Sequence, residues 1–138
     1  MPNQESTEHR DVDFYRRESR HQTGKLAGLI GDWRRRKGFK TGWLNVPEKL
    51  MLIVTELAEA MEAYRKLPTW VLSELQSHAE PRLNEEADAI ITNFQEELAD
   101  VFIRLLDLSD ALGFDLHAAA CEKMAINEGR PHKHGKER

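Results

Sequence analysis

Two long segments repeat apolar residues at helical spacing, and they constrain the fold more than any other feature of this sequence. The first runs from about Pro47 to Lys66 and ends before Pro68. The second runs from about Asn84 to Leu112 and ends at Gly113, a residue type that often follows the last turn of a helix. No segment alternates apolar and polar residues for long enough to predict a β-strand. The sequence therefore predicts an all-α protein built around two long helices.

Shorter helical patterns flank these two segments. Residues 23–37 repeat apolar side chains every three or four positions, and a short helix with a turn is expected between Pro68 and Pro81. Residues 114–130 predict a last helix, which Gly129 and Pro131 end. The expected architecture is a bundle of four to five helices, completed by association with further copies of the chain.

The chain divides into a polar N-terminal arm, residues 1–22, and one helical domain, residues 23–138, with a basic tail at its end. Its net charge of −4 argues against binding to a nucleic acid polymer or to an anionic membrane. Cys121 is the only cysteine, so no internal disulfide can form. Because the N-terminus also lacks the apolar stretch of a signal peptide, we expect a cytoplasmic protein.

Each long helix carries two acidic residues three positions apart, Glu56 with Glu59 and Glu97 with Asp100. At about 100° per residue, the members of each pair share one face of the helix. Their angular neighbours are apolar, namely Leu52, Ala60 and Ala63 in the first helix and Ile90, Val101 and Leu108 in the second. The carboxylates are therefore expected at the border of the helix–helix seam.

Unpaired carboxylates at such a seam cost several kcal/mol each, roughly, so they need compensation. They could be protonated, they could pair with Arg104 one turn beyond Asp100, or they could bind a divalent cation. A ligand set made only of carboxylates favours Mg²⁺, or Mn²⁺, over Zn²⁺. A ferritin-like di-iron site is disfavoured because it needs Glu-x-x-His pairs, which this sequence lacks.

Downstream residues suggest a partner for such a cation. Lys123, Asn127 and Arg130 fall within about 60° on one face of the last helix. Lysine and arginine are good donors to phosphate oxygens, so a polyphosphate could lie between them and a carboxylate-bound metal. Trp43 is the aromatic residue that we select for stacking on a base, because its loop leads into the first acidic helix.

The stretches "ELAEAMEA", "EELADVFIRLLDL" and "KMAINEGRP" together resemble the MazG-like all-α nucleoside triphosphate pyrophosphohydrolases. That superfamily includes dCTP pyrophosphatases and phosphoribosyl-ATP pyrophosphohydrolases, and the resemblance covers about residues 25 to 135. It implies a metal-dependent cut between the α and β phosphates of a nucleoside triphosphate, which gives the monophosphate and pyrophosphate and clears unwanted nucleotides. Thr55 stands where many members have a glutamate, so the number of metal ions stays open.

Carried over by position, the resemblance implies that Glu56, Glu59, Glu97 and Asp100 are Mg²⁺ ligands. It implies that Lys123, Asn127 and Arg130 contact phosphates, and that the chain forms a homodimer or homotetramer. We expect Glu59 and Glu97 to take part in catalysis, with Glu59 accepting a proton from the attacking water. Two alternatives remain: a hydrolase specific for dUTP or phosphoribosyl-ATP, and a non-enzymatic helical module whose acidic face docks a basic partner.

Overall fold

The structure, a computed structural model, describes residues 11–19 and 22–130, and these form helices and connecting turns without any β-strand. The all-α prediction is confirmed. The elements are α1 (Val12–Ser19), α2 (Gln22–Lys37), a 3₁₀ turn (Trp43–Asn45), α3 (Val46–Arg65), α4 (Thr69–Ser77), α5 (Glu85–Leu112) and α6 (Leu116–Glu128).

Five of these helices match predicted segments, and α1 is the addition. It lies within the segment 1–22, for which the sequence predicted only a polar arm. It packs against α6, where Arg16 pairs with Glu122 at 3.2 Å. The basic tail, residues 131–138, lies outside the described residues.

Local capping explains where the long helices begin and end. The Asn84 side chain accepts a hydrogen bond from the Ala87 amide at 2.8 Å and so starts α5. Gly113 ends it in the left-handed conformation, with φ of 73°, which glycine adopts at little cost. Asp115 caps α6 in the same way as Asn84 caps α5, and Pro47 lies in the first turn of α3. These signals are local, which is why the sequence predicted these boundaries well.

Helices α3 and α5 form the centre of the molecule and run antiparallel. The ring of Tyr64 lies 6.3 Å from that of Phe94 at one end of the pair, and Arg104 contacts Glu56 nearer the other end. Buried Ala60 and Ala63 on α3 allow a close approach of the helices. Helix α2 packs along the other end of α5, where Leu106 is fully buried.

Large apolar side chains are exposed beside this α3–α5 seam. They are spaced alternately by four and three residues, which is the repeat of a helix that packs against another helix. On α3 they are Leu50, Val54, Leu57, Met61 and Tyr64, and on α5 they are Leu98, Phe102 and Leu105. Many of them follow a seam residue by one position. One position is a rotation of about 100° about the helix axis, and in an antiparallel pair this rotation turns both rows of residues away from the seam towards the same side. We call this surface the outer face.

A search of the described helices for a membrane-spanning segment finds none that is both long and apolar enough.

Candidate functional site

Three of the four predicted acidic residues come together at the α3–α5 seam. Glu56, Glu97 and Asp100 each offer a carboxylate oxygen, and these oxygens all lie within 4.8 Å of one another. Glu56 is buried, Glu97 is half-buried and Asp100 is exposed. This group, which we call the acid cluster, could hold a metal ion. The prediction that the carboxylates border the apolar seam is in agreement with the burial of Ala60, Ala63 and Leu108.

Glu59 is exposed and lies beside this cluster, close enough to Glu97 to raise the pKa of that carboxyl. Several effects raise the pKa of Glu97 above its ordinary value of 4.5: partial desolvation first, then repulsion and hydrogen bonding from Glu59, and then repulsion from Glu56 and Asp100. A carboxyl that holds its proton more tightly than usual is one answer to the crowding of negative charge. Of the compensations that the sequence left open, pairing with arginine occurs at this site, and the raised pKa of Glu97 is a shift in the direction of protonation.

The arginine is Arg104. Its Nε donates to Glu56 Oε1 at 2.7 Å, and its Nη2 lies 2.5 Å from the same oxygen. The Glu56 side chain is 10% exposed, so this pair compensates the most deeply buried of the four acids. One guanidinium faces four carboxyl groups, however, and the site keeps an excess of negative charge.

The donor set suits a hard divalent cation. Oxygens on opposite sides of a Mg²⁺ ion are about 4.2 Å apart, twice a typical Mg–O distance. Neighbouring ligands of an octahedral Mg²⁺ ion are only about 3 Å apart, so the cluster oxygens, which lie within 4.8 Å of one another, would have to approach one another by up to about 2 Å. Exposed Asp100 leaves one side open for water or substrate oxygens. Glu56, Glu97 and Asp100 could therefore hold Mg²⁺ or Mn²⁺, and Glu59 lies next to them.

A cavity of about 470 Å³ opens beside the acid cluster, between α2, the loop after it, α3 and α5. Its volume is within the range of small-molecule sites. At one end it is lined by Asp100 and Arg104, and on another wall by two aromatic rings, Trp33 and Phe39. The ring centroids of these two residues are 5.6 Å apart. We call this space the α2–α5 cavity.

Charged and polar side chains complete the lining of the α2–α5 cavity. Lys49 and Arg34 add two cations, Glu48 adds an anion that pairs with Lys49 at 3.8 Å, and Thr41 and Asp107 form a polar corner. The Thr41 hydroxyl donates to Asp107 Oδ2 at 2.9 Å, and Arg34 Nη1 donates to Asp107 Oδ1 at 2.8 Å. Arg34 is itself buried, and its Nη2 reaches Asp110 at 3.1 Å. The cavity thus combines a carboxylate end, cationic groups and an aromatic wall.

The other predicted substrate residues lie elsewhere in the described structure. Trp43 is 66% exposed and packs edge-to-face on Phe114, outside the lining of the α2–α5 cavity. Lys123 and Arg130 are exposed on α6 and just beyond it, and the Asn127 Oδ1 atom is buried without a hydrogen-bond partner among the described residues. Within residues 22–130, no hydrogen bond or ion pair joins these three side chains to the acid cluster. Their contact with phosphate stays a prediction.

Sequence reasoning did not select several residues that line the α2–α5 cavity, although a signal for them existed. Lys49 precedes Glu56 by seven positions, and Asp107 follows Asp100 by seven. Seven residues are nearly two helical turns, so each lies on the same face as the acid it accompanies. Trp33 belonged to the predicted apolar stripe of α2, which gave no reason to place it beside the site.

Comparison with protein-family models, with curated proteins and with solved structures finds no match to this chain. The relationship to the MazG-like enzymes therefore stays a resemblance, carried by the motif residues alone. The case for a function rests on the chemistry of the acid cluster and of the cavity beside it.

Proposed function

We propose that this protein is a Mg²⁺-dependent nucleoside triphosphate pyrophosphohydrolase, which cleaves between the α and β phosphates. The observation that carries the proposal is the convergence of Glu56, Glu97 and Asp100, with oxygens within 4.8 Å, beside a cavity that Asp100 lines together with cationic and aromatic residues. A triphosphate needs this combination: a site for a cation on its oxygens, positive side chains for its remaining charge and a flat surface for its base.

In this proposal Glu56, Glu97 and Asp100 would hold the metal, which when bound would supply positive charge beside the phosphate and make a water molecule more acidic. Arg104, which lines the α2–α5 cavity together with Asp100, neutralises the charge that builds on the departing pyrophosphate. The water oxygen bonds to the α-phosphorus and the bond to the β-phosphate bridging oxygen breaks. We assign the acceptance of the water proton to a Glu59 carboxylate oxygen, with Glu97 beside it.

We also propose that the working form is a homodimer, or a tetramer made of such dimers. The outer face exposes Leu57, Met61 and Phe102 by 45–48%, and such a contiguous apolar surface marks an interaction site. Its heptad-like spacing suits a second helix pair with the same spacing, which would complete a four-helix bundle. Size-exclusion chromatography with light scattering should show a dimer or tetramer, and Met61→Lys should shift it to monomer. A monomeric wild-type protein would contradict this.

One competing function has an observation of its own. Arg104 already pairs with Glu56, so the acids could be part of a non-enzymatic helical module that docks a basic partner. This alternative predicts that Mg²⁺ has no effect on thermal unfolding. A metal site present only in the folded state should instead raise the melting temperature as Mg²⁺ concentration increases.

The deciding experiment incubates the pure protein with canonical and modified triphosphates, including dUTP, and with phosphoribosyl-ATP, at millimolar Mg²⁺. Products are separated by ion-exchange chromatography. We expect a nucleoside monophosphate and pyrophosphate, and no product when the metal is chelated. Release of inorganic phosphate with a diphosphate, or no product from any substrate together with a melting temperature unaffected by Mg²⁺, would refute the proposal.

A further inference from the structure

The end of the α2–α5 cavity away from the acid cluster carries the carboxylate of Asp107, which Thr41 and Arg34 hold in place. The lining has one other carboxylate outside the acid cluster, that of Glu48, which is exposed and pairs with Lys49. Asp100 and Asp107 both line the cavity, and seven residues of α5 separate them, a rise of about 10.5 Å along one helix face. If phosphates lie at Asp100 and Arg104, as in the proposed function, the base of the nucleotide extends along α5 towards Asp107. The polar corner is then the part of the cavity that meets the edge of the base.

The walls near that corner suit a flat heterocycle. Trp33 is 43% exposed and Phe39 is 57% exposed, so a large part of each residue stays accessible to a ligand. Their planes are tilted by 38° with centroids 5.6 Å apart, which forms an angled aromatic wall. Aromatic rings stack on any base, so this wall contributes affinity without distinguishing one base from another. Selectivity must come from the polar corner.

The donors of the polar corner are already used within it. The Thr41 hydroxyl donates its hydrogen to Asp107 Oδ2, and Arg34 Nη1 donates both to Asp107 Oδ1 and to the Asp107 carbonyl oxygen at 3.0 Å. Arg34 Nη2 donates to Asp110 on the far side. Each carboxylate oxygen accepts more than one hydrogen bond, so Asp107 keeps acceptor capacity. The corner therefore presents acceptors, held in place by the buried guanidinium.

We propose that Asp107 selects nucleotides whose base carries an exocyclic amino group. This inference rests on the proposed function and names a substrate class for the same site. The amino group of cytosine or adenine donates to the Asp107 carboxylate, whereas the carbonyl oxygen at the same ring position of uracil or hypoxanthine faces it with lone pairs. When the Asp107 carboxylate faces a carbonyl oxygen, neither group has a hydrogen-bond partner, and the lost free energy discriminates against that base.

Two pairs of substrates test this, CTP against UTP and ATP against ITP. The members of each pair differ at that ring position and in the hydrogen on the adjacent ring nitrogen. We expect kcat/KM to favour the amino-bearing member by about tenfold or more, the factor that one hydrogen bond to a charged group supplies. Asp107→Asn should bring both ratios close to one, since an amide offers a donor as well as an acceptor. Thr41→Val should lower them less, because it removes only the hydroxyl that positions Asp107.

Asp110→Asn is the matched control. Asp110 pairs with the same arginine but does not line the α2–α5 cavity, so its loss should perturb the packing of α2 on α5 and leave both substrate ratios unchanged. Wild-type ratios near one would overturn the inference, and so would an equal change in the Asp107→Asn and Asp110→Asn variants. Circular dichroism confirms that each variant is folded.

The dissociation constants of CMP and UMP, measured by isothermal titration calorimetry, separate this inference from the proposed function. Tighter binding of CMP, lost in Asp107→Asn and kept in Asp110→Asn, supports base selection even if no triphosphate is hydrolysed. Hydrolysis of all triphosphates with equal efficiency supports the proposed function and overturns the inference.

Discussion

Two groups of charged side chains lie on α5, and they are neutralised to different degrees. In the first, which we call the Arg34 cluster, Arg34 bridges Asp107 and Asp110. Arg35, which also pairs with Asp32, approaches Asp110 at 3.7 Å, so every anion of the group has a cationic partner. In the acid cluster, Arg104 alone faces Glu56, Glu97 and Asp100, with Glu59 beside them. The balanced group can hold two helices together by itself, whereas the unbalanced group favours an added cation. Charge balance thus distinguishes a structural ion network from a candidate site.

The largest expected effect is on catalysis by the unbalanced group. Glu56→Gln and Glu97→Gln each keep the shape of the side chain and remove a charged ligand, so pyrophosphate release with Mg²⁺ should fall by about 1000-fold or more. The control is Glu96→Gln, since Glu96 is exposed next to Glu97 and lies on a different face of α5. A Glu97→Gln variant that keeps the wild-type rate would show that Glu97 is not part of the site.

Stability should depend most on the balanced group. Arg34→Met leaves Asp107 and Asp110 without their buried partner, and the free energy of unfolding should drop by about 3 kcal/mol. Urea denaturation measures this. Arg36→Met, on the exposed side of the same helix, should change stability by less than about 0.5 kcal/mol. Equal effects of the two variants would mean that the Arg34 cluster contributes little to the contact between α2 and α5.

Close packing near the balanced group should make two glycine substitutions in α2 change the free energy of unfolding in opposite directions. A Cβ atom at Gly31 would collide with the Asp110 carboxylate, while one at Gly28 meets nothing within 4 Å. Gly31→Ala should therefore lower the free energy of unfolding by about 2 kcal/mol. Gly28→Ala should raise it by about 0.5–1 kcal/mol through its better helix propensity. Urea denaturation measures both changes, and equal stability of Gly31→Ala and the wild-type protein would contradict a close contact between Gly31 and Asp110.

Removing the arginine of the unbalanced group should strengthen metal binding. Arg104→Gln takes away the cation that competes for Glu56, so Mn²⁺ should bind about tenfold more tightly in the absence of nucleotide. Hydrolysis should nevertheless weaken, because Arg104 lines the cavity that we assign to the triphosphate. Arg65→Gln, an exposed residue paired with Glu62, serves as the control for net charge. Unchanged Mn²⁺ affinity in Arg104→Gln would argue against a metal at Glu56.

The smallest effect concerns pH. The pKa of Glu97 is raised above 4.5 by desolvation and by its acidic neighbours, so the folded state binds a proton that the unfolded state releases. The metal-free protein should gain stability as pH falls from neutral through the raised pKa, and that part of the pH dependence should vanish in Glu97→Gln. Melting curves of both proteins across this range measure the difference, and identical pH profiles would contradict it.

The candidate site could be predicted from the sequence in part. Glu56, Glu97 and Asp100, which the structure brings together, are predicted from the sequence because acids at helical spacing beside apolar residues can be recognised along one chain. Trp43 was chosen for the base, yet Trp33 and Phe39 are the aromatic residues that line the α2–α5 cavity. All three belong to helix ends and loops with similar surroundings in the sequence, so only the packing of α2 on α5 distinguishes them.

By itself, the sequence determined the helices and the faces of α3 and α5 that carry acids, because helix caps, prolines and a period of 3.6 residues act over a few positions. The tertiary structure decided which charges meet: Arg104 with Glu56, and Arg34 between Asp107 and Asp110. It also decided that α1 packs on α6. These pairings span dozens of residues and depend on how far each helix is rotated about its axis. That rotation is set by the packing of the whole bundle, and no local segment encodes it.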